Sequence, residues 1–79
     1  MTNVTVNLVL DCTGLSCPIP VVKTSQAIRT IQIGEVLELL ATDPGVQPDM
    51  RAWTARTGHE LVELRAEGDV VHVLIRRSK

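Results

Sequence analysis

The apolar period of this chain switches between two residues and three to four. The order of those switches leaves few architectures open. In "VTVNLVL", Val4, Val6, Leu8 and Leu10 fall on one face with Thr5 and Asn7 on the other, which reads as a half-buried strand. From Pro18 to about Gln32 the spacing becomes helical, with Val21, Ser25, Ile28 and Ile31 in one stripe and Lys23, Gln26 and Arg29 off it. Gly34 is placed to end that helix in a left-handed turn. "EVLELLAT" returns to alternation, with Leu37, Leu39 and Ala41 on one face and Glu38 on the other. "TDPGVQP" is loop chemistry, Pro48 opens a second helix over "PDMRAWTART", and Gly58 closes it. "HELVELRA" and "VVHVLIRR" then flank Glu67-Gly68-Asp69, a tight hairpin signal.

The order β-α-β-α-β-β predicts an α/β (α+β) two-layer sandwich, a four-stranded mixed sheet with two helices on one face. At 79 residues the expectation is a single domain, 1–79. A right-handed crossover makes the first two strands parallel. The loops that follow them, 11–17 and the one beginning Asp43-Pro44-Gly45, then leave from the same sheet edge. Sites in such sheets favour the carboxyl ends of the strands.

Composition excludes several functions. Hydrophobic residues make up 44% of the chain, but Trp53 is its one aromatic, so the core is aliphatic. Eight Lys and Arg against nine Asp and Glu argue against direct nucleic-acid binding, which calls for a basic excess and stacking aromatics. The terminal Arg76-Arg77-Ser78-Lys79 reads as a solvated strand end. No stretch of about 18 apolar residues offers a membrane span, and no signal peptide is evident. Two cysteines are too few for a secreted disulfide framework, which points to the cytoplasm and to reduced thiols.

Both cysteines lie in "LDCTGLSCPIPVV". With Pro18 as the first helical residue, Cys17 becomes the N-cap. A thiolate there can accept N–H groups of the first turn, and the helix dipole favours it, so its pKa is expected to fall. Pro18 and Pro20 offer no donor and restrict the backbone. The same residues also suit a small buried cysteine ahead of an ordinary helix. A Cys–His hydrolytic site is disfavoured. His59 follows Gly58 and reads as a cap, His72 alternates on a strand facing outward, and so short a chain has little room for a pocket of about 300 Å³. A redox C-x-x-C site is absent, since Pro20 stands where its second cysteine would fall. Cys12 and Cys17 can form a disulfide only if their loop folds back. A metal site would need two further ligands with suitable geometry; His59 and His72 supply the residue types, but His72 is badly placed for the cysteine edge. An exposed nucleophilic cysteine that carries a group and hands it on remains.

"DCTGLSCPIPVVKT" resembles the D-x-x-G-L-x-C-P-x-P-V signature of the TusA/SirA-like family of sulfur carrier proteins. "GEVLELLATDPG", Asp49, Trp53, "GHEL" and "LIRR" extend the likeness over almost the whole chain. The resemblance implies that Cys17 accepts sulfur as a persulfide. The donor would be a cysteine desulfurase or a rhodanese-like protein, and the acceptor a DsrE-like or other protein. The relay would serve tRNA thiolation, molybdenum cofactor synthesis or sulfur oxidation. No cofactor, metal, nucleic acid or membrane is implied. Pro18 and Pro20 match the rigid helix start, Asp11 and Gly14 the presenting loop, and Asp43 and Pro44 the neighbouring turn. Lys23 and Arg29 suit partner docking or an ordinary solvated face. Cys12 occupies a variable position and is either a secondary thiol or passive, and Thr54 offers no redox partner beside Trp53. Two other readings stay open: a non-catalytic RNA-binding or regulatory module, and a Cys12/Cys17 redox switch.

Overall fold

Alternation does produce the sheet. In the computed structural model, which describes residues 4–79, β1 (Leu8–Cys12), β2 (Val36–Ala41), β3 (Glu60–Glu67) and β4 (Val70–Arg76) form four strands in the order β1-β2-β4-β3. β1 and β2 are parallel, with Leu8 opposite Leu37 and Cys12 opposite Ala41. β4 runs antiparallel to both β2 and β3. The two-residue turn Gly68-Asp69 joins β3 to β4, so the hairpin lies where Glu67-Gly68-Asp69 predicts it. Two helices, α1 (Ile19–Ala27) and α2 (Val46–Thr57), make the second layer, giving the expected mixed-sheet α+β sandwich.

Period-two register decides which side chains enter the core. Leu37, Leu39, Val73 and Ile75 show no exposure, and they pack with Met50 and Trp53 of α2 and with Ile28 and Ile31 after α1. Burying each large aliphatic side chain stabilises the fold by roughly 1.5–3 kcal/mol. The other sheet face carries Glu38 and His72, whose Nδ1 lies 2.9 Å from Glu38 Oε2. Val9 on that face is 56% exposed, whereas Val36 and Leu74 are buried.

β1, α1 and α2 each differ from the sequence reading. β1 starts at Leu8 and runs through Cys12, which sits fully buried on the core face with Leu8 and Leu10. Asp11, a turn former by residue type, simply occupies the outer face of that strand. The buried stripe of α1 is Pro20 and Thr24, continued by Ile28, one position round from Val21 and Ser25. Thr24 is tolerated there because its hydroxyl donates to the Pro20 carbonyl at 2.7 Å. Helix α2 begins at Val46 rather than Pro48. The Asp43-Pro44-Gly45 turn passes directly into it, and a proline in a first helical turn leaves no hydrogen bond unmade. Gly58 ends α2 as expected, in the left-handed region at φ 83°, with its N–H on the Thr54 carbonyl.

Candidate functional site

Because β1 and β2 are parallel, the segments that follow them leave the sheet side by side. Side chains of the second loop stitch them together. The Thr42 hydroxyl accepts the Gly14 N–H at 2.9 Å, and Asp43 Oδ2 accepts the Cys17 N–H at 2.7 Å. Asp43 Oδ1 also takes the Gly45 N–H at 3.0 Å, so one carboxylate fixes its own turn and the neighbouring loop. Pro44 starts the turn that Val46 N–H closes on the Asp43 carbonyl. Asp11 Oδ1 accepts the Thr13 N–H and hydroxyl at 2.9 and 2.7 Å, an Asx turn that starts the Cys17 loop. Gly14 follows at φ 81°, a conformation other residues adopt only with strain.

These hydrogen bonds move titrations. The Cys17 and Gly45 N–H groups hold the Asp43 carboxyl below its ordinary value, and Thr13 does the same for Asp11. A lowered folded pKa means that the unfolded chain binds the proton more tightly. The associated stability is therefore present above about pH 4 and is lost as pH falls through the folded values. Asp43→Asn is expected to lower the thermal midpoint near neutral pH and to flatten its acid dependence. A melting series from neutral to acid pH checks this; an unchanged acid slope would show that Asp43 does not couple the loops.

The cysteine itself is presented differently from the sequence expectation. Pro18, not Cys17, occupies the cap of α1, and no side chain caps that helix among the described residues. The first-turn bonds run from Ile19 N–H to the Ser16 carbonyl and from Val22 N–H to the Pro18 carbonyl. Cys17 is exposed, and its Sγ donates to Asp49 Oδ2 at 2.7 Å across the gap between the helices. That hydrogen bond, then desolvation and the charges of Asp49 and Asp43, push the Cys17 thiol up rather than down. A full charge in direct contact outweighs the half charge of a helix end two residues away.

Cys17, Pro18, Val21, Asp49, Trp53 and Arg56 line a shallow cleft of about 230 Å³. Pro20 is buried beneath it. A larger depression, about 730 Å³, lies over the opposite sheet face beside Glu38, Glu63 and Leu74, and Cys17 does not line it. Lys23 and Arg29 are exposed, but neither lines the cleft. Arg29 borders a separate depression with Ser25, Trp53 and His59. His59 packs on the Trp53 ring at 5.4 Å between centroids and accepts the Ser78 N–H, while burial holds its pKa down. Thr54 is buried, with its hydroxyl on the Met50 carbonyl. Cys12 lies in the core, where burial pushes its thiol up. Asp49 is the site residue that sequence reasoning passed over. The sequence names Asp49 only as part of the family likeness, and nothing local reveals its contact 32 residues back along the chain.

No group of three or more His, Cys, Asp and Glu is placed to hold a metal ion among the described residues, and no helix there is long and apolar enough to cross a membrane. The family model described as Sulfurtransferase TusA matches residues 8–77. The Bacillus subtilis protein YrkF is 44% identical over 71 residues, 90% of this chain but 38% of its own length. This chain therefore spans about two fifths of that relative. The sulfur carrier protein TusA of Allochromatium vinosum is 41% identical over 69 residues, 87% of this chain and 91% of its own. A crystal structure of a SirA-like protein from Desulfitobacterium hafniense superposes with a TM-score of 0.78 at 22% identity, covering 91% of this chain and 99% of that one. At that identity the likeness is one of fold.

Proposed function

This chain belongs to the sulfurtransferase TusA family, and from that premise we propose that it is a sulfur carrier whose Cys17 holds sulfane sulfur as a persulfide between a donor and an acceptor protein. The observation that carries this reading is the exposed Cys17 thiol at the joint carboxyl edge of β1 and β2, on a loop anchored through its backbone to Asp43. A carrier needs a reactive atom that two partners can reach in turn, on a backbone that does not move between visits. A cleft of about 230 Å³ lies below the range of about 300–1,000 Å³ usual for small-molecule sites, so a docked partner completes the enclosure. The donor in this reading is a cysteine desulfurase or rhodanese-like protein, and the acceptor is a protein thiol of the DsrE-like or another class. Asp11, Gly14, Asp43 and Pro44 hold the loop. Pro18 and Pro20 set the start of α1, and Lys23 and Arg29 offer charge to a partner approaching over that helix. Cys12, in the core, would have to leave its packing to act as a second thiol.

Incubation with a cysteine desulfurase and cysteine, followed by intact-mass measurement, tests the reading. The expected result is a gain of one or more sulfur atoms that is reversed by a thiol reductant. A chain that takes up no sulfur from a desulfurase, or from a rhodanese-like protein supplied with thiosulfate, is not a carrier.

A further inference from the structure

Two carboxylates approach Cys17, and they are engaged in different ways. Asp43 spends both oxygens on backbone N–H groups, those of Cys17 and Gly45. Asp49 takes the thiol itself, Sγ to Oδ2 at 2.7 Å. A thiolate and a carboxylate would repel at that separation, so the contact is an S–H···O hydrogen bond to a protonated thiol. The remaining charged groups facing this sulfur are few. Arg56 of α2 borders the same cleft, whereas Lys23 of α1 does not line it and acts on Cys12 instead.

We infer that Asp49 is the proton acceptor for Cys17: it holds the free carrier as a thiol, receives that proton when sulfur is loaded, and then opposes the anion that loading leaves behind. This rests on the reading of Cys17 as the sulfur-carrying residue. In the loading step, Cys17 Sγ forms a bond to the outer sulfur of the donor's persulfide anion while its proton passes to Asp49 Oδ2. The donor's S–S bond breaks, and its electron pair goes to the donor's inner sulfur. Asp49 returns the proton to that sulfur, which leaves as a thiol. One S–S bond forms and one breaks, so no oxidant or reductant is needed, and the negative charge ends on the Cys17 persulfide. The free state thus gains an attractive hydrogen bond, whereas the loaded state sets an anion against Asp49 and Asp43. The asymmetry favours passing the sulfur on.

The test compares wild type, Asp49→Asn and Asp49→Glu in the full chain, by the pH profile of Cys17 alkylation with iodoacetamide, the label located by peptide mass. Asp49→Asn is expected to move the profile to lower pH and raise the neutral-pH rate about threefold or more, because the thiolate is the nucleophile. Asp49→Glu is expected to retain the wild-type profile. Asp49→Ser serves in place of Asn if that variant does not fold by circular dichroism. At equilibrium with a small-molecule thiol and its persulfide, the neutral variant is expected to hold a larger fraction of its Cys17 loaded. Profiles that coincide while sulfur is still taken up would overturn the role of Asp49. Profiles that differ in a chain that takes up no sulfur would overturn the carrier reading and leave the Asp49 hydrogen bond standing.

Discussion

Trp53→Ala is expected to remove about 3–5 kcal/mol of stability, the usual cost of emptying a buried indole site. A domain of this size holds only about 4–12 kcal/mol in all, so the loss is a large fraction of the total. The magnitude follows from position. Trp53 is 3% exposed, belongs to the core cluster and is this chain's one Phe, Trp or Tyr, so the space it leaves is bordered by the small His59 ring and aliphatic side chains. Its Nε1–H donates to Ser25 Oγ at 2.9 Å, which also ties α2 to α1. Trp53→Phe keeps most of the apolar contact and removes that donor, and should cost about 1–2 kcal/mol. Urea midpoints at unchanged slope separate the two. A loss below about 1 kcal/mol for the alanine variant would mean that the ring is not packed as described. The indole also lines the Cys17 cleft, so damage in the core is expected to reach the site.

What could be read in the sequence follows from how local each signal is. β2 and β4 show their faces in alternation alone, because each residue's direction is set by its neighbours two positions away. The β3–β4 turn is equally local. β1 was legible as a strand but not in its extent. Asp11 and Cys12 look like the start of a loop, and only pairing with Leu40 and Ala41 shows them to be strand. The stripe of α1 is legible at Ile28 and Ile31, but the burial of Thr24 between Val21 and Ser25 is not, because a buried threonine contradicts simple polarity. Its hydroxyl is satisfied within its own helix by Pro20, a bond that composition does not reveal. The Cys17 loop was placed at the right sheet edge by the parallel β1–β2 topology. The chemistry of its thiol was not, because a partner from α2 outweighs the local helix end. Local pattern placed the sulfur, and the tertiary fold set its proton.

The two cysteines are expected to separate completely in function. Cys17→Ser should abolish sulfur loading, since a hydroxyl is far less nucleophilic than a thiol and cannot become a persulfide. Its fold should survive, because the residue is exposed and its N–H to Asp43 is backbone. Cys12→Ala should load normally while losing roughly 1 kcal/mol, comparable to removing one buried methyl group. Alanine is the better probe there, since serine would place a hydroxyl among Leu39, Ala41 and other apolar neighbours of the core cluster. Intact-mass loading and urea melts on the same samples give both answers. Loading by Cys17→Ser but not by Cys12→Ala would transfer the site to Cys12. Loss in both variants, each still folded, would require the two thiols to act together, and Cys12 would then have to leave the core during the reaction. Its complete burial at the end of β1 argues against both of these outcomes, because exposing it means opening the β1–β2 register next to Ala41. A Cys12–Cys17 disulfide would require the same opening, whereas Cys17 is already exposed.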